Sequence, residues 1–420
     1  MKKSRKRRSP ESGEMTDRNL QAWLQRLESA HPTEIELGLE RVATVAANLG
    51  LDSPSVPVIT VAGTNGKGST VAVMEAVLIA AGRCPGAYTS PHLLAFNERI
   101  RVAGEPAGDE DIVAAFEAIE AARGDISLTY FEVATLAALQ VFARAGVDIL
   151  LLEVGLGGRL DAVNLVDADV AVITRIALDH QDWLGDDLDQ IALEKAGIMR
   201  AGRPVVIADP DAPATLGRRA EELGALAIEP RELEDALPLP PGLIETNVRA
   251  ALAALAQLPE PPAPEAIVAG LGAVTLSGRR ELRDVAGVHY VLDVAHNPDA
   301  VNKLLEYLSL NHCNGRTLCV FSVMGDKDID AMIDAASGAF DAWFLAALPE
   351  LPRAAQPSDV AARLHQAGQG MISVSKNVRQ AFRRAQTLLA PGDRLVIFGS
   401  FHTVAAVMPL LDKDERKLAS

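Results

Sequence analysis

The sequence is poor in cysteine and contains no long apolar run. Its three cysteines, Cys84, Cys313 and Cys319, have neither the spacing of a metal site nor the even number of a disulfide framework. We therefore expect free thiols in a reducing compartment. No uninterrupted apolar stretch approaches the roughly 20 residues of a membrane-spanning helix, and the basic N-terminus lacks the apolar segment of a signal peptide. These absences predict a cytoplasmic protein without a membrane partner.

Positive charge is scarce relative to negative charge. The 420 residues include 40 Lys and Arg against 56 Asp and Glu, a net charge of −16. This excess disfavours a broad nucleic-acid surface, because DNA and RNA backbones are themselves anionic. Residues 1–15 are a basic exception, and we expect a disordered tail there, with a nucleic-acid arm as the alternative. No aromatic residues interleave with the basic ones, so no nucleic-acid partner is expected.

Strands and helices alternate along most of the chain. Apolar runs that predict strands occur at 58–61, 148–154, 169–176 and 204–208, and again at 288–294, 317–323, 343–347 and 394–398. Strands that are apolar on both faces and alternate with helices are typical of parallel sheets. We therefore predict an α/β protein in which an N-terminal domain with a mainly parallel sheet (16–276) precedes a smaller Rossmann-like α/β domain (285–420). Residues 277–284 are the predicted hinge linker.

Helical patterns are less evenly distributed. Helical spacing covers residues 35–49 and the stretches after Asp299 and Ile329, and a short helix is expected around Trp23. Between Asp209 and Gly242 the composition is dominated by Pro, Ala and Glu, and only one helix is predicted, at 218–223. The structure of 209–246 is therefore the least determined by the sequence.

The most informative motif follows the first predicted strand. Residues 63–70 read GTNGKGST and precede an apolar helix. Glycines let backbone N–H groups turn toward phosphates, the helix N-terminus adds positive potential and Lys67 adds a point charge. The motif predicts a P-loop for a nucleoside triphosphate, with Ser69 or Thr70 offering a hydroxyl to magnesium. Its short spacing is unlike that of GTPases and ordinary kinases, and a glycine-rich turn without a ligand is the alternative.

Polar residues follow several other strands, at the edge where ligands of parallel sheets bind. Glu153 ends an apolar strand and is a candidate Mg²⁺ ligand, with a capping role as the alternative. His180 follows the next strand, which we expect to neighbour the Glu153 strand, and is either a metal ligand or a packing residue. Asp293 and His296 follow a strand of the second domain. Two domains closing over ATP are therefore expected.

A set of motifs together resembles the folylpolyglutamate synthases. The motifs are GTNGKGS at 63–69, TSPHL at 89–93, FNERI at 96–100, EVGLGGR at 153–159, DVAHNP at 293–298 and GSFHTV at 399–404. The chain is similar in particular to the bacterial enzymes that are both dihydrofolate synthase and folylpolyglutamate synthase, within the Mur ligase superfamily. The resemblance spans most of the chain, and the number and order of the motifs make it specific.

The resemblance implies a reaction. An ATP-dependent ligase of this family adds L-glutamate to dihydropteroate, making dihydrofolate, and to the γ-carboxylate of folylglutamates such as tetrahydrofolates, through an acyl phosphate. It implies ATP and two Mg²⁺ ions as cofactors and a monomer. A superfamily ligase acting on cell-wall precursors and a non-catalytic nucleotide-binding regulator are the alternatives. The loop at 89–100 favours a folate, and the presence of Lys67, Glu153, His180 and Lys195 argues against loss of catalysis.

The resemblance also implies roles for individual residues. ATP would be bound by Thr64, Asn65, Gly66, Lys67, Gly68, Ser69, Asn247, Arg279 and Asp293, and magnesium by Ser90, Glu153 and His180. The candidate catalytic residues are Lys67, His296 and an N-carboxylated Lys195 beside the metal pair. Dihydropteroate would lie near Glu36, Leu37, Gly38, Thr129, Leu160, Asp161 and Ala162, and the incoming glutamate near His296 and Ser400.

Some residues depart from the family pattern. Arg175 stands where the family usually has a small hydroxyl residue, close to His180, and would change the charge around the second metal. Ser277-Gly278-Arg279-Arg280 replaces the usual Pro-Gly-Arg, so either arginine is a candidate for the phosphates. The segment before Asn247 is shorter than in relatives, which leaves the role of Asn247 open.

Overall fold

The computed structural model describes residues 19–28, 31, 35–233, 237, 239 and 242–418. The predicted tail at 1–15 and part of the undetermined segment 209–246 lie outside the described residues. The described chain forms one eight-stranded and one six-stranded sheet, each covered by helices. The predicted α/β class is therefore confirmed. Among the described residues, none of the helices is both long and apolar enough to cross a bilayer.

The first sheet has a parallel centre and an antiparallel edge. Its strands are β1 (Val58–Ala62), β2 (Pro85–Tyr88), β3 (Ile100–Val102), β4 (Glu105–Pro106), β5 (Ile149–Glu153), β6 (Val170–Ile173), β7 (Pro204–Ile207) and β8 (Leu226–Ile228). They lie in the order β4-β3-β2-β5-β1-β6-β7-β8, and only the β2–β3 and β3–β4 pairs of this described sheet are antiparallel. The strand before the P-loop therefore lies between β5 and β6.

Helices cover both faces of this sheet. They are α1 (Leu20–Glu28), α2 (Glu40–Leu49), α3 (Lys67–Ala80), α4 (Asp109–Arg123), α5 (Tyr130–Ala145), α6 (Gln181–Leu184), α7 (Leu188–Ala196), α8 (Ala214–Leu223), α9 (Glu245–Leu255) and α10 (Pro264–Ala273). Successive strand residues alternate between the two faces. In β1, Val58 packs into the core formed with α2, α4, α5 and α7, whereas Ile59 packs into the core formed with α3, α9 and α10. This alternation explains why the central strands are apolar throughout.

The second sheet is smaller and has one antiparallel edge. Its strands are β9 (Glu281–Val285), β10 (Val288–Leu292), β11 (Thr317–Phe321), β12 (Ala342–Ala346), β13 (Ile372–Ser375) and β14 (Arg394–Phe398). They lie in the order β13-β12-β11-β14-β10-β9, with β9 antiparallel to β10. The helices are α11 (Pro298–Leu310), α12 (Ile329–Ala335), α13 (Pro357–Gln366), α14 (Val378–Gln386) and α15 (Phe401–Leu418).

Three boundaries differ from the predictions. The helix predicted at 35–49 begins only at Glu40, because Gly38 has a φ of +154°, outside the helical region, and its N–H donates to Leu160 O (3.4 Å). The predicted linker at 277–284 overlaps β9, an edge strand whose alternating polar residues resemble a linker in composition. The helix predicted at 218–223 begins four residues earlier, at Ala214.

Candidate active site

A cavity of about 210 Å³ lies between the two domains, at the carboxyl ends of the central strands. The first domain contributes the P-loop together with Ser90, Glu153, His180 and Lys195. The second domain contributes Arg279, Asp293, His296 and the first turns of α11. All of the residues that the sequence analysis assigned to ATP and metal therefore line one cavity.

Two glycines allow the P-loop to pass close to its neighbours. A Cβ atom on Gly63 would lie 1.8 Å from Thr174 Oγ1, and one on Gly66, where φ is +91°, would lie 2.4 Å from Asn247 Oδ1. Lys67 Nζ donates to the carbonyls of Gly63 (3.0 Å) and Thr64 (3.2 Å). The ammonium group is thus held over the loop, where phosphates bind in loops of this type.

The structure distinguishes the two hydroxyls that follow the P-loop lysine. Thr70 Oγ1 donates to Gly66 O (3.0 Å) within its own helix. Ser69, in contrast, lines the cavity. Ser69 is therefore the hydroxyl that could approach a phosphate-bound magnesium ion.

Glu153 and His180 approach the P-loop from opposite sides. The sequence analysis expected their strands to be neighbours, and this prediction is wrong, because β1 lies between β5 and β6 and pairs with both. Glu153 accepts a hydrogen bond from Ser90 N (3.1 Å), and burial raises the pKa of its carboxyl group. Burial lowers the pKa of His180 to about 4, which leaves a neutral imidazole able to bind a metal.

The donor set fits magnesium better than a transition metal. Within the described residues, no group of three or more His, Cys, Asp or Glu side chains forms a preformed metal cage. Mg²⁺ usually keeps several water ligands and binds through one or two carboxylates plus phosphate oxygens. Ser90, Glu153 and His180 around a phosphate-binding loop meet that requirement.

Lys195 lies on α7 with only 3% of its surface exposed. Burial, with a contribution from the nearby charge of Lys67, lowers the pKa of its amine to about 7. Within the part of the chain that the structure describes, its amine has neither a hydrogen-bond nor an ion-pair partner. An amine that lines the cavity and is partly unprotonated at neutral pH can react with carbon dioxide.

Residues late in the chain also reach the P-loop. Asn247 Oδ1 lies against Gly66, and its buried Nδ2 has no hydrogen-bond partner among the described residues. Of the two candidate arginines, Arg279 Nη2 lies 3.0 Å from the Cβ position of Gly68. The Arg280 guanidinium instead lies over the Tyr307 ring (5.2 Å) and donates to Lys303 O. Arg279 is therefore the better placed to meet phosphates.

The residues assigned to dihydropteroate form a connected region outside the 210 Å³ cavity. Arg41 joins two of its parts, because it donates to the Glu36 carboxylate and to Glu132 Oε1 (3.0 Å). Glu132 and Thr129 exchange hydrogen bonds in a capping box at the start of α5. Asp161 accepts backbone N–H bonds from Leu156 (2.8 Å) and Val163, and burial raises its pKa to about 6.

The structure brings this acceptor region close to the cavity. It comprises Glu36, Leu37, Gly38, Thr129, Leu160, Asp161 and Ala162, of which Gly38 and Leu160 are joined by a backbone hydrogen bond. A Cβ atom on Gly155, which lines the cavity, would lie 2.5 Å from Phe131 Cζ, one residue beyond Tyr130 at the start of α5. The assigned residues thus border the cavity across the glycine-rich segment.

The two residues assigned to glutamate differ. His296 lines the cavity, with Nδ1 2.8 Å from Val294 O and Nε2 3.4 Å from Asp179 Oδ2. Ser400 is buried, its hydroxyl accepts from Thr403 N (3.1 Å), and its side chain does not line the cavity. The expectation that the Ser400 side chain contacts glutamate is therefore not supported, because this hydroxyl caps the start of α15.

An interdomain polar cluster around Asp179 was not predicted. Asp179 accepts from Lys327 Nζ (2.5 Å) and Asn297 Nδ2 (3.0 Å), both in the second domain. Burial alone would raise the pKa of Asp179, but hydrogen bonding and charge attraction from His296 outweigh it and lower this pKa. The position of Asp179 and Lys327 after strands was the available signal, but sequence position does not reveal that they pair.

Comparison with known proteins identifies two domain families in the chain. Residues 61–225 match the family described as Mur ligase middle domain, and residues 278–401 match the one described as Mur ligase, glutamate ligase domain. The chain is 43% identical over 413 residues to the dihydrofolate synthase/folylpolyglutamate synthase of Escherichia coli strain K12, covering 94% of this chain and 96% of that protein.

Solved structures agree along almost the whole chain. E. coli FolC in complex with DHPP and ADP has a TM-score of 0.89 and 42% identity, covering 94% of this chain and 98% of that one. A bifunctional folylpolyglutamate synthase/dihydrofolate synthase with Mn, AMPPNP and L-glutamate bound has a TM-score of 0.87 and 43% identity, with the same coverage. The chain therefore belongs to the dihydrofolate synthase/folylpolyglutamate synthase family of ATP-dependent ligases and carries its Mur ligase domains.

Proposed function

We propose that this protein uses ATP to join L-glutamate to dihydropteroate and to the γ-carboxylate of folylglutamates. The supporting observation is that one cavity is lined by the P-loop, Glu153, His180, Lys195 and His296, and is bordered by the acceptor region. The solved relatives are named as complexes with DHPP and ADP in one case and with Mn, AMPPNP and L-glutamate in the other, which are the kinds of ligand that this reaction requires.

The chemistry requires activation of a carboxylate. A carboxylate oxygen of the acceptor attacks the γ-phosphorus of ATP, the bond to the ADP oxygen breaks, and an acyl phosphate forms. The glutamate amine then attacks the acyl carbon, loses a proton and expels inorganic phosphate, which leaves an amide. Lys67 Nζ, held over the loop by two carbonyls, offsets the repulsion between the phosphates and the acceptor carboxylate.

Two magnesium ions would be held at Ser90, Glu153 and His180, and when bound they supply charge neutralisation on the phosphate oxygens. Arg279 beside Gly68 adds a cation to the same phosphates. The buried Asn247 amide is directed at the loop. These groups orient the nucleotide so that donor and acceptor can lie in line.

The second domain has a separate task. Its contacts with the P-loop through Asn297 close the cavity on one side. A closed cavity keeps water from hydrolysing the acyl phosphate before glutamate arrives. His296, on the same side, is placed to bind or orient the incoming glutamate.

Lys195 is the proposed site of N-carboxylation. The unprotonated form of its amine adds to carbon dioxide, a C–N bond forms and one proton is released, so an uncharged amine becomes an anion that two magnesium ions beside it would stabilise. Lys195→Ala is expected to lower kcat by about 100-fold or more, as for loss of one electrostatic group, with partial recovery in short carboxylic acids. A ¹³C-bicarbonate carbamate signal in the wild type, absent from Lys195→Arg, would support the proposal; its absence from the wild type would remove it.

The decisive experiment supplies ATP, Mg²⁺ and labelled glutamate with dihydropteroate, tetrahydrofolate or a muramyl peptide. Labelled conjugates with both pterin acceptors are expected. Conjugates with the muramyl peptide alone would indicate the cell-wall alternative, and nucleotide binding without turnover would indicate a regulator. A monomeric state and a cytoplasmic location stay predictions, which light scattering and cell fractionation test.

A further inference from the structure

Arg175 lies where the P-loop and the second domain meet. Its carbonyl oxygen accepts a hydrogen bond from Thr64 N (2.7 Å) in the P-loop. Its side chain extends across the domain boundary, where Nε donates to Asp299 Oδ1 (3.0 Å). On the first-domain side, the same guanidinium donates to Asp209 Oδ1 (2.7 Å). One residue thus contacts the loop with its backbone and both domains with its side chain.

Asp299 also contacts the P-loop. It lies in the first turn of α11, and its other oxygen, Oδ2, accepts from Asn65 Nδ2 (2.8 Å). Asn65 also exchanges amide hydrogen bonds with Asn297 (3.0 Å each). The Asn65 side chain is therefore occupied by the second domain, and its backbone remains part of the phosphate-binding loop.

The ion pair is partly withdrawn from water. The side chains of Arg175 and Asp299 are 34% and 17% exposed, and that of Asp209 is 1% exposed. Partly buried pairs are screened less by salt than fully exposed ones. The buried Asp209 carboxylate fixes the guanidinium on the first domain, so that its Nε is already directed at Asp299.

We propose that Arg175 and Asp299 form an interdomain charge clamp that docks α11 on the P-loop and thereby positions Asn65 and the loop for ATP. Arg175 is a positioning residue, because it acts through Asp299 and Asn65. The clamp rests on the proposed use of ATP. It adds that affinity for the nucleotide depends on Arg175, which does not itself line the cavity, through its partner Asp299, which does.

The test is a double-mutant cycle with Arg175→Met, Asp299→Ala and the double variant. Binding of Mg²⁺–AMPPNP is measured by calorimetry, and the radius of gyration without ligand by small-angle X-ray scattering. Each single variant is expected to weaken AMPPNP binding about 5- to 10-fold and to increase the radius of gyration, since coupled contacting pairs reach this range. The double variant is expected to bind no more weakly than the worse single variant.

Matched controls come from an ion pair within the second domain. Arg363 and Asp330 lie 2.6 Å apart, and Asp330 occupies the first turn of α12 as Asp299 does that of α11. Arg363→Met and Asp330→Ala should leave AMPPNP affinity unchanged. Arg175→Met also removes the ion-pair partner of the buried Asp209 carboxylate and is expected to lower the melting temperature. Asp299→Ala, in contrast, leaves the Arg175–Asp209 pair intact.

Two results would overturn the clamp: wild-type AMPPNP affinity in Arg175→Met, even with a lowered melting temperature, or fully additive effects in the cycle. Neither measurement needs ligation. If the AMPPNP affinities show the expected coupling but the protein makes no glutamate conjugate, the clamp is supported and the proposed function is refuted. The KM for ATP, rather than kcat, should rise in active variants.

Discussion

The nucleotide side and the acceptor side of the site are built in different ways. On the nucleotide side, contiguous residues 63–69 provide a backbone loop, and the Asn247 Nδ2 atom beside it has no hydrogen-bond partner among the described residues. On the acceptor side, Glu36, Thr129 and Asp161 come from distant parts of the chain and are hydrogen-bonded within the protein.

This difference separates direct recognition from positioning. Polar groups that lack protein partners are available to a ligand, since a buried polar atom needs a hydrogen bond. Groups that already have partners instead fix the shape of a surface. We infer that phosphate contacts are made by side chains and backbone directly, whereas acceptor binding depends on a network that holds loop 35–39 and the start of α5 in place.

Replacing Lys67 should have the largest effect. Lys67→Ala removes the cation held over the loop by Gly63 O and Thr64 O, and kcat for ligation should fall by about 1,000-fold. Steady-state ligation assays measure this, and circular dichroism should show an unchanged fold. Lys376→Ala, at an exposed position before α14, should retain wild-type activity. Wild-type turnover by Lys67→Ala would refute the role of the P-loop.

Replacing Glu153 should have a smaller and more selective effect. Glu153→Gln keeps the side-chain volume but removes the charge, so the Mg²⁺ concentration for half-maximal activity should rise about 10- to 100-fold. Magnesium titrations at saturating ATP measure it. Glu194→Gln changes a carboxylate that pairs with Arg159 and serves as the control. An unchanged magnesium requirement would remove Glu153 from the metal site.

A change on the acceptor side should weaken binding of the acceptor and leave binding of ATP unchanged. Arg41→Met separates Glu36 from Glu132, and KM for dihydropteroate should rise about 10-fold while KM for ATP is unchanged, as for the loss of one charged contact. The measurement is KM for both substrates. Because Arg41→Met removes the ion-pair partner of the buried Glu132 carboxylate, Glu36→Gln is the milder second variant.

The control for this prediction is Arg83→Met. Arg83 pairs with Asp148 at 2.9 Å and is about as exposed as Arg41. It lies at the amino ends of β2 and β5, however, whereas the acceptor region borders the carboxyl ends of the strands. Equal increases of both KM values in Arg41→Met would contradict the separation of the two sides and would indicate a general loss of structure.

The sequence predicted what depends on local pattern. The P-loop, the carboxylate at the end of β5 and eight of the fourteen strands in the described sheets follow from apolar runs and the residues after them. The order β5-β1-β6 was not predictable, because strand neighbours are chosen by contacts more than 80 positions apart in the chain. The Arg175–Asp299 pair and the capping role of Ser400 have the same origin, since each depends on where a side chain points in the folded chain.

The edge strands and one loop show a second reason why parts of the fold were not predictable from the sequence. β13 and β9 are partly polar, so their composition resembles that of a loop, and only pairing with β12 or β10 makes them strands. The segment 35–39 has helical spacing, but a backbone hydrogen bond from Gly38 to Leu160 replaces a helical one. Tertiary contacts override local preference at both places.

The smallest expected effect concerns stability on the acceptor side. His92, in the loop that follows Ser90, accepts at Nδ1 from Arg99 Nε (2.8 Å), and burial followed by the charge of Arg99 lowers its pKa to about 4. The unfolded chain titrates at about 6.5. Between these values the unfolded state binds more protons, so this contribution to stability is present above pH 6.5 and is lost as the pH falls toward 4.

His92→Gln keeps an acceptor for Arg99 but cannot be protonated. Urea unfolding without metal at pH 7, 6 and 5 should therefore show a pH dependence that is flatter than in the wild type by about 1 kcal/mol, after allowance for partial exposure. A residual slope is expected, because burial also lowers the pKa of His180 to about 4. His365→Gln, at an exposed position near the end of α13, should keep the wild-type slope. An identical slope in His92→Gln would mean that the imidazole is not held neutral by the fold.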